Sequence, residues 1–239
     1  MSLSNTLTFR TKSKMFSWKQ YTQQINFFIP PGPLRFQEQV NLTLPMVSSY
    51  GMFLECLNDD LRGDENVVLA AVKNNGFALQ FASEELRKNK KVVMTAVNVY
   101  GSALQWASPE LKDDEEVVMT AINNRGYSLE WASDRIRDNE DIVIAAIKNG
   151  SSIRWASDRL RGNEKVALTS VTIRGSDVQY ISPELKNNKN VALTAVVKLP
   201  IALTMVSDYL RADREVVMAA INQDRYVLRF ASEELQNKL

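Results

Sequence analysis

The sequence predicts an all-α fold: an α-solenoid of about eight 25-residue helix-turn-helix repeats with an N-terminal helical cap. Three observations carry this reading. An apolar start recurs at Leu61, Leu86, Leu111, Ile136, Leu160, Leu185, Leu210 and Leu235, every 25 residues apart from one step of 24 between Ile136 and Leu160. Three residues after each of the first seven starts stands Asp64, Asn89, Asp114, Asn139, Asn163, Asn188 or Asp213, and no other residue type. Near the end of every copy stands a serine: Ser83, Ser108, Ser133, Ser157, Ser182, Ser207 or Ser232.

Each element of the repeat follows from local chemistry. The Asp/Asn position precedes an apolar run such as Val67 to Val72. A short side-chain acceptor there bonds the free N–H groups of a first helical turn, so it reads as an N-cap. Acids at Glu115, Glu116, Glu140 and Asp141 suit the positive end of that helix. The long helix should run about 11 residues, three turns, and end near Gly76, Gly101, Gly126, Gly150 and Gly175. Glycine at that point is expected to close the helix in the left-handed conformation. A second, shorter helix is predicted over segments such as FALQFAS. The closing serine, followed directly by Pro109 or Pro183 in two copies, then starts one more helical turn. Ala71, Ala96, Ala121, Ala146, Ser170, Ala195 and Ala220 form a small-residue column that lets neighbouring long helices approach closely. A helix apolar over most of its circumference, as VVLAAV is, has to be covered on several sides; stacked copies do that.

The expected domains are a basic arm with a capping helix over 1–35 and the repeat domain over 36–239. Within the latter, 36–60 reads as a degenerate first repeat and 61–235 as seven clear ones. The cap is placed on Ser17–Phe28, where Trp18, Tyr21 and Ile25 share a helical face. Pro30, Pro31 and Pro33 end it. Pro45 falls inside the first long helix and should distort or shorten it. The missing residue at 148–150, where KNG replaces NNRG of the copy before, should shorten the fourth clear helix. Pro200 and Arg225 replace the expected glycine, and Arg225 carries a strain cost if it keeps positive φ.

Composition narrows the function. Apolar residues make up 45% and charged residues 24% of 239, in the range of a soluble globular protein. Apolar stretches are short and broken by charge, so no transmembrane segment is expected. There is one cysteine, Cys56, and no histidine. That fits a reducing compartment and removes the commonest general base and a common metal ligand. Residues 1–37 hold Arg10, Lys12, Lys14, Lys19 and Arg35 and no acid, which leaves the rest net negative within a chain of net charge +1. The expected location is intracellular and cytoplasmic, with organelle targeting by the basic N-terminus left open. No phosphate-binding glycine loop, paired cysteine set or histidine-based triad is present. Hence no catalytic residue, cofactor-binding residue, metal ligand or cofactor is assigned, and the protein is expected not to be an enzyme.

The phrases VVLAAVKNNGFALQFASEELR and VVMTAINNRGYSLEWASDRIR resemble an uncharacterised helical-repeat family, a domain of unknown function built from tandem units of this kind. The resemblance covers roughly 61–235. It implies the helical-repeat fold and no activity. Pro200, Met205, Arg225 and the whole first repeat depart from its pattern.

Two columns are candidates for binding a partner. One is aromatic: Phe81, Trp106, Trp131, Trp155, Tyr180 and Phe230, each two residues after an aliphatic side chain and interrupted by Met205. Two residues apart, aliphatic and aromatic do not fully share one α-helical face, so one of them leans either into the core or toward a groove. The other column is basic: Arg62, Arg87, Lys112, Arg137, Arg161, Lys186 and Arg211, on the turn before each N-cap. It reads either as local pairing with neighbouring acids or as an array facing an anionic partner. The function expected is a non-enzymatic protein-binding scaffold or structural component of an assembly, with Trp106, Trp131, Trp155 and the basic column as partner-binding residues. The alternative is RNA or single-stranded nucleic acid held by the same two columns.

Overall fold

A computed structural model describes residues 35–239. The basic arm and the capping helix expected over 17–28 lie outside the described residues. By its contacts the chain divides into Met1–Gln39 and Val40–Leu239, and the second unit holds the repeats. Among the described residues every regular element is helical.

The long helices are α1 (Phe36–Ser49), α2 (Glu65–Asn74), α3 (Lys90–Val99), α4 (Glu115–Asn124), α5 (Glu140–Lys148), α6 (Glu164–Ile173), α7 (Lys189–Lys198) and α8 (Arg214–Ile221). From α2 to α8 each packs on the next in sequence order, as a solenoid requires, and the α4–α5 contact is the sparsest. Every predicted Asp/Asn cap forms. Asp64 accepts from the Val67 N–H at 3.0 Å, Asn89 from Val92 at 3.2 Å and Asn163 from Val166 at 3.1 Å. Asp114, Asn139, Asn188 and Asp213 each accept from two N–H groups. The serines start the short helical turns that link copies, such as Glu84–Lys88 and Asp134–Arg137. Five of them accept the third N–H of the turn; Ser108 and Ser232 do not.

The second helix of each copy is a 3₁₀ segment, not a short α-helix: Gly76–Phe81, Gly101–Trp106 and Gly126–Trp131 are examples. At three residues per turn, positions 76, 79 and 82 share one side, and Gly76, Leu79 and Ala82 are all buried. This geometry settles which of the aliphatic–aromatic pair turns inward. Leu79, Leu104, Leu129, Ile153 and Val178 are fully buried, and the aromatics two residues later are only half-buried.

The glycines serve a different purpose from the one expected. Gly76 is the first residue of the 3₁₀ segment, and its φ is not positive. The helix ends instead on an extended residue, Asn75 with φ −146°. Glycine is needed because the next long helix lies against it: a Cβ on Gly76 would stand 2.4 Å from the Ala96 carbonyl oxygen, and one on Gly51 would stand 2.3 Å from that of Ala71. Arg225 therefore keeps no positive φ and carries no such strain.

Gly150 is the exception. Its φ of 93° is the only positive one among the described residues. The Gly150 N–H donates to Ile147 O at 3.0 Å and the Ser151 N–H to Ala146 O at 2.8 Å, a Schellman closure of α5. This is the copy that lacks one residue. Its helix loses one residue and its 3₁₀ segment shrinks to Ile153–Trp155. The next copy fills the gap. Asp177, 1% exposed, reaches back and accepts from Ser152 Oγ at 3.0 Å and from the Ile153 N–H at 3.1 Å. The Ser170 hydroxyl also donates to it. Elsewhere in the clear repeats Asp177's column holds Ala78, Ala103, Ser128, Ser152, Ala202 and Val227, and Ser170's holds alanine.

Pro45 neither shortens nor breaks α1, which runs for 14 residues. It lies on the exposed side, where water reaches the backbone beside the missing donor.

Candidate functional site

The two edges of the stack differ in charge, and the cause is the common direction of the long helices. All N-caps lie along one edge and all C-termini along the other. The N-cap edge is dense in charge of both signs, and its charges are consumed in joining copies. Lys90 Nζ meets Asp114 at 2.8 Å and Glu116 at 2.7 Å; Lys91 meets Glu65 at 2.8 Å. Arg135 meets Asp113 at 3.0 Å and Glu115 at 2.9 Å, and Arg159 meets Asp138 at 3.0 Å. Lys189 holds Asp213 at 2.9 Å and Glu215 at 2.8 Å. The Ser133 hydroxyl and Arg135 hold the Asp113 carboxyl below the usual carboxylate range, and Ser157 and Arg159 do the same for Asp138.

The basic column lies on this edge and is half-buried throughout. Its backbone joins successive connecting turns: the carbonyl of each column residue accepts the N–H of the serine that opens the next turn, from Ser83 to Arg62 (3.0 Å) through Ser232 to Arg211 (2.9 Å). Arg137, Arg161 and Arg211 pair with Asp134, Asp158 and Asp208, three residues back in their own turns, and Arg62 approaches Asp59 at 3.8 Å. Arg87, Lys112 and Lys186 have no carboxylate within 4.0 Å among the described residues. The sequence explains these three: Pro109 and Pro183 occupy the pairing position before the lysines, and Glu84 is taken by Lys88 at 2.6 Å. Burial, with Arg87 adding repulsion, pushes the Lys112 ammonium below its usual range.

The aromatic column lies at the ends of the 3₁₀ segments. Trp106, Trp131 and Trp155 are half-buried on three successive copies. Phe77 meets Trp106 edge-on at 5.0 Å and Tyr100 at 4.1 Å. The Arg154 guanidinium lies over the Trp155 ring at 4.1 Å, and Arg229 lies over Phe230 at 4.7 Å. The indole N–H of Trp155 is shielded and has no acceptor. Cys56, which holds the aromatic position of the first repeat, is half-buried; burial, then Glu55, pushes its thiol up against the opposing pull of Arg62.

The long helices also present a half-buried apolar column, Met94, Met119, Ile144, Leu168, Leu193 and Met218. An open groove of about 450 Å³ between α6 and α7 is lined by Thr172, Leu193, Thr194, Val197 and Lys198. Among the described residues no group of three or more Cys, Asp or Glu is placed to hold a metal ion, and no helix is long and apolar enough to cross a membrane.

Sequence reasoning missed two features. One is Asp177; its signal was an acid in an otherwise uncharged column, one copy after the deletion. The other is the separation of charge between the edges, visible once helix direction is known.

The sequence model of a family described as a domain of unknown function (DUF4116) matches residues 42–87, 64–112, 89–137, 114–161 and 188–236. Each match spans about two copies. The stretch 162–187, with Ser170 and Asp177, falls outside all of them. No curated protein and no solved structure matches the chain.

Proposed function

The chain belongs to the DUF4116 family of tandem repeats, and on that premise we propose that it is a non-enzymatic scaffold that binds a protein through the tryptophan side of its solenoid. The observation that carries this reading is the division of labour within each 3₁₀ segment. Leu79, Leu104, Leu129, Ile153, Val178 and Leu203 are fully buried and supply the core; only Leu228, in the last segment, is half-buried. The aromatic two residues on is left half-exposed on copy after copy. Trp106, Trp131 and Trp155 are then anchors of the kind that dominate interface energetics. The neighbouring Gln105, Glu130 and Arg154 differ from copy to copy and supply specificity. A partner that moves Arg154 aside gains both the Trp155 ring and its unused N–H. Arg87, Lys112 and Lys186 are the basic-column members free to add contacts; Arg62, Arg137, Arg161 and Arg211 contribute mainly by holding their own turns.

The test is affinity capture from the source cells with the full chain and with a variant carrying Trp106→Gln, Trp131→Gln and Trp155→Gln, after melting curves show both are folded. A protein enriched by the first and lost with the second supports the reading. Equal enrichment by both refutes the tryptophan face. The nucleic-acid alternative is addressed by a salt titration against a random single-stranded oligonucleotide pool. Tight, salt-sensitive binding there, lost on Arg87→Gln/Lys112→Gln/Lys186→Gln substitution, would replace the protein reading.

A further inference from the structure

The C-terminal ends of the long helices form an edge unlike the rest of the surface. In the windows 73–77, 98–102, 123–127, 148–152, 172–176, 197–201 and 222–226 the cations are Lys73, Arg125, Lys148, Arg174, Lys198 and Arg225, and the only acid is Asp224. That acid is already engaged, accepting from the Tyr226 N–H at 2.9 Å. From Arg125 to Arg225 five successive copies each carry one such cation. None of these cations lies within 4.0 Å of a carboxylate among the described residues, whereas the opposite edge is laced with ion pairs. Their polar partners are neutral. Arg125 donates to the Tyr100 hydroxyl, and Arg174 donates to the Gly150 carbonyl at 2.8 Å while lying over the Tyr127 ring at 5.6 Å. Exposed rings stand among the cations: Tyr127 is 42% and Tyr226 83% exposed. Cations at helix C-termini suit the helix dipole, but the dipole does not call for exposed tyrosines between them.

We propose that this edge docks an acidic, proline-containing segment of another protein in the polyproline II conformation, with one carboxylate facing each copy and prolines against the tyrosines. The spacing selects this ligand. Packed helices repeat at about 8–10 Å, and the long helices of these copies pack in sequence order. A polyproline II chain advances about 9.3 Å in three residues and returns to the same side. An acid at every third position therefore meets one cation per copy without either chain distorting. Proline rings against aromatic side chains are the usual way such helices are held. A strand of duplex DNA carries a charge every ~3.4 Å of its axis, denser than one cation per copy. The proposal rests on the cations and tyrosines at the helix C-termini, not on Trp106, Trp131 and Trp155, and stands whether or not those tryptophans bind.

The experiment uses fluorescence anisotropy with a labelled peptide of five Glu-Pro-Pro triplets, its Gln-Pro-Pro counterpart and an oligouridylate, against the full chain. The expected result is binding of the acidic peptide at low salt, weakening as salt rises, with the neutral peptide and the oligonucleotide bound at least tenfold more weakly. The variant Lys148→Gln/Lys198→Gln/Arg225→Gln alters only exposed side chains and should weaken peptide binding about tenfold. The control Lys90→Gln/Lys91→Gln on the opposite edge should not. Three outcomes overturn the proposal: no binding of the acidic peptide at low salt, equal loss in both variants, or preference for the oligonucleotide. If the triple variant only melts lower while the wild-type chain ignores the peptide, the cations serve the helix ends and no docking site exists.

Discussion

Replacing Asp177 by alanine tests the account of the shortened copy most directly. Three donors converge on this carboxylate: Ser152 Oγ at 3.0 Å, the Ile153 N–H at 3.1 Å and the Ser170 hydroxyl. The substitution leaves the Ile153 N–H buried without an acceptor, which costs about 1–3 kcal/mol by itself. Breaking a buried, hydrogen-bonded charged network typically costs ~3–5 kcal/mol. Here the remaining partners are neutral, the two hydroxyls can re-pair, and alanine is the ordinary occupant of this column. The expected loss is therefore about 3 kcal/mol. It falls on one interface, so unfolding in urea should also become less cooperative, with the copies after Gly150 separating from those before it. Circular dichroism follows the whole chain, and tryptophan fluorescence, with Trp155 beside the network, follows the junction. Inserting an asparagine between Asn149 and Gly150 restores the 25-residue spacing and should remove most of the penalty of Asp177→Ala. A loss under about 0.5 kcal/mol, or the same loss with and without the insertion, would refute the view that Asp177 compensates for the missing residue.

Other positions give independent checks. Gly76→Ala drives a methyl group to within 2.4 Å of the Ala96 carbonyl oxygen and should destabilise by about 1–3 kcal/mol. Gly162→Ala, whose nearest neighbour would be 3.5 Å away, should stay within about 0.5 kcal/mol or stabilise slightly; equal melting shifts would discredit close packing as the reason for glycine. Removing the Asn139 cap with Asn139→Ala, which frees the Asp141 and Ile142 N–H groups, should cost about 1 kcal/mol in thermal or urea unfolding. Asp113 and Asp138 have lowered folded-state pKa values, so the stability they add is present above the unfolded carboxylate value of about 3.9 and drains away as pH falls below it. Melting temperatures measured from pH 6 to 3 should fall at the acid end, and Asp113→Asn/Asp138→Asn should flatten that fall; an unchanged slope would count against these inter-repeat pairs.

The repeat itself was legible in the sequence because its punctuation is local. A cap needs only an acceptor three residues before a free N–H, so the Asp/Asn column and most of the serines could be placed without knowing what packs on what. The period alone likewise fixed the stacking order. What the sequence left open depends on neighbours one copy away. Gly76 looks like a helix stop, yet it is required by a carbonyl that approaches from α3. The choice between a 3₁₀ segment and an α-helix sends Leu79 inward and leaves Phe81 half-buried. Arg137 and Lys112 read as one column, but a proline in one turn and an aspartate in the other give them different surroundings. Asp177 is the sharpest case: a carboxylate in a column of small uncharged residues has no local rationale and gains one only beside the gap left by the copy before. Backbone hydrogen bonding at helix ends is short-range and is written into adjacent residues; steric fit, charge pairing and burial between copies exist only once the chain has been stacked.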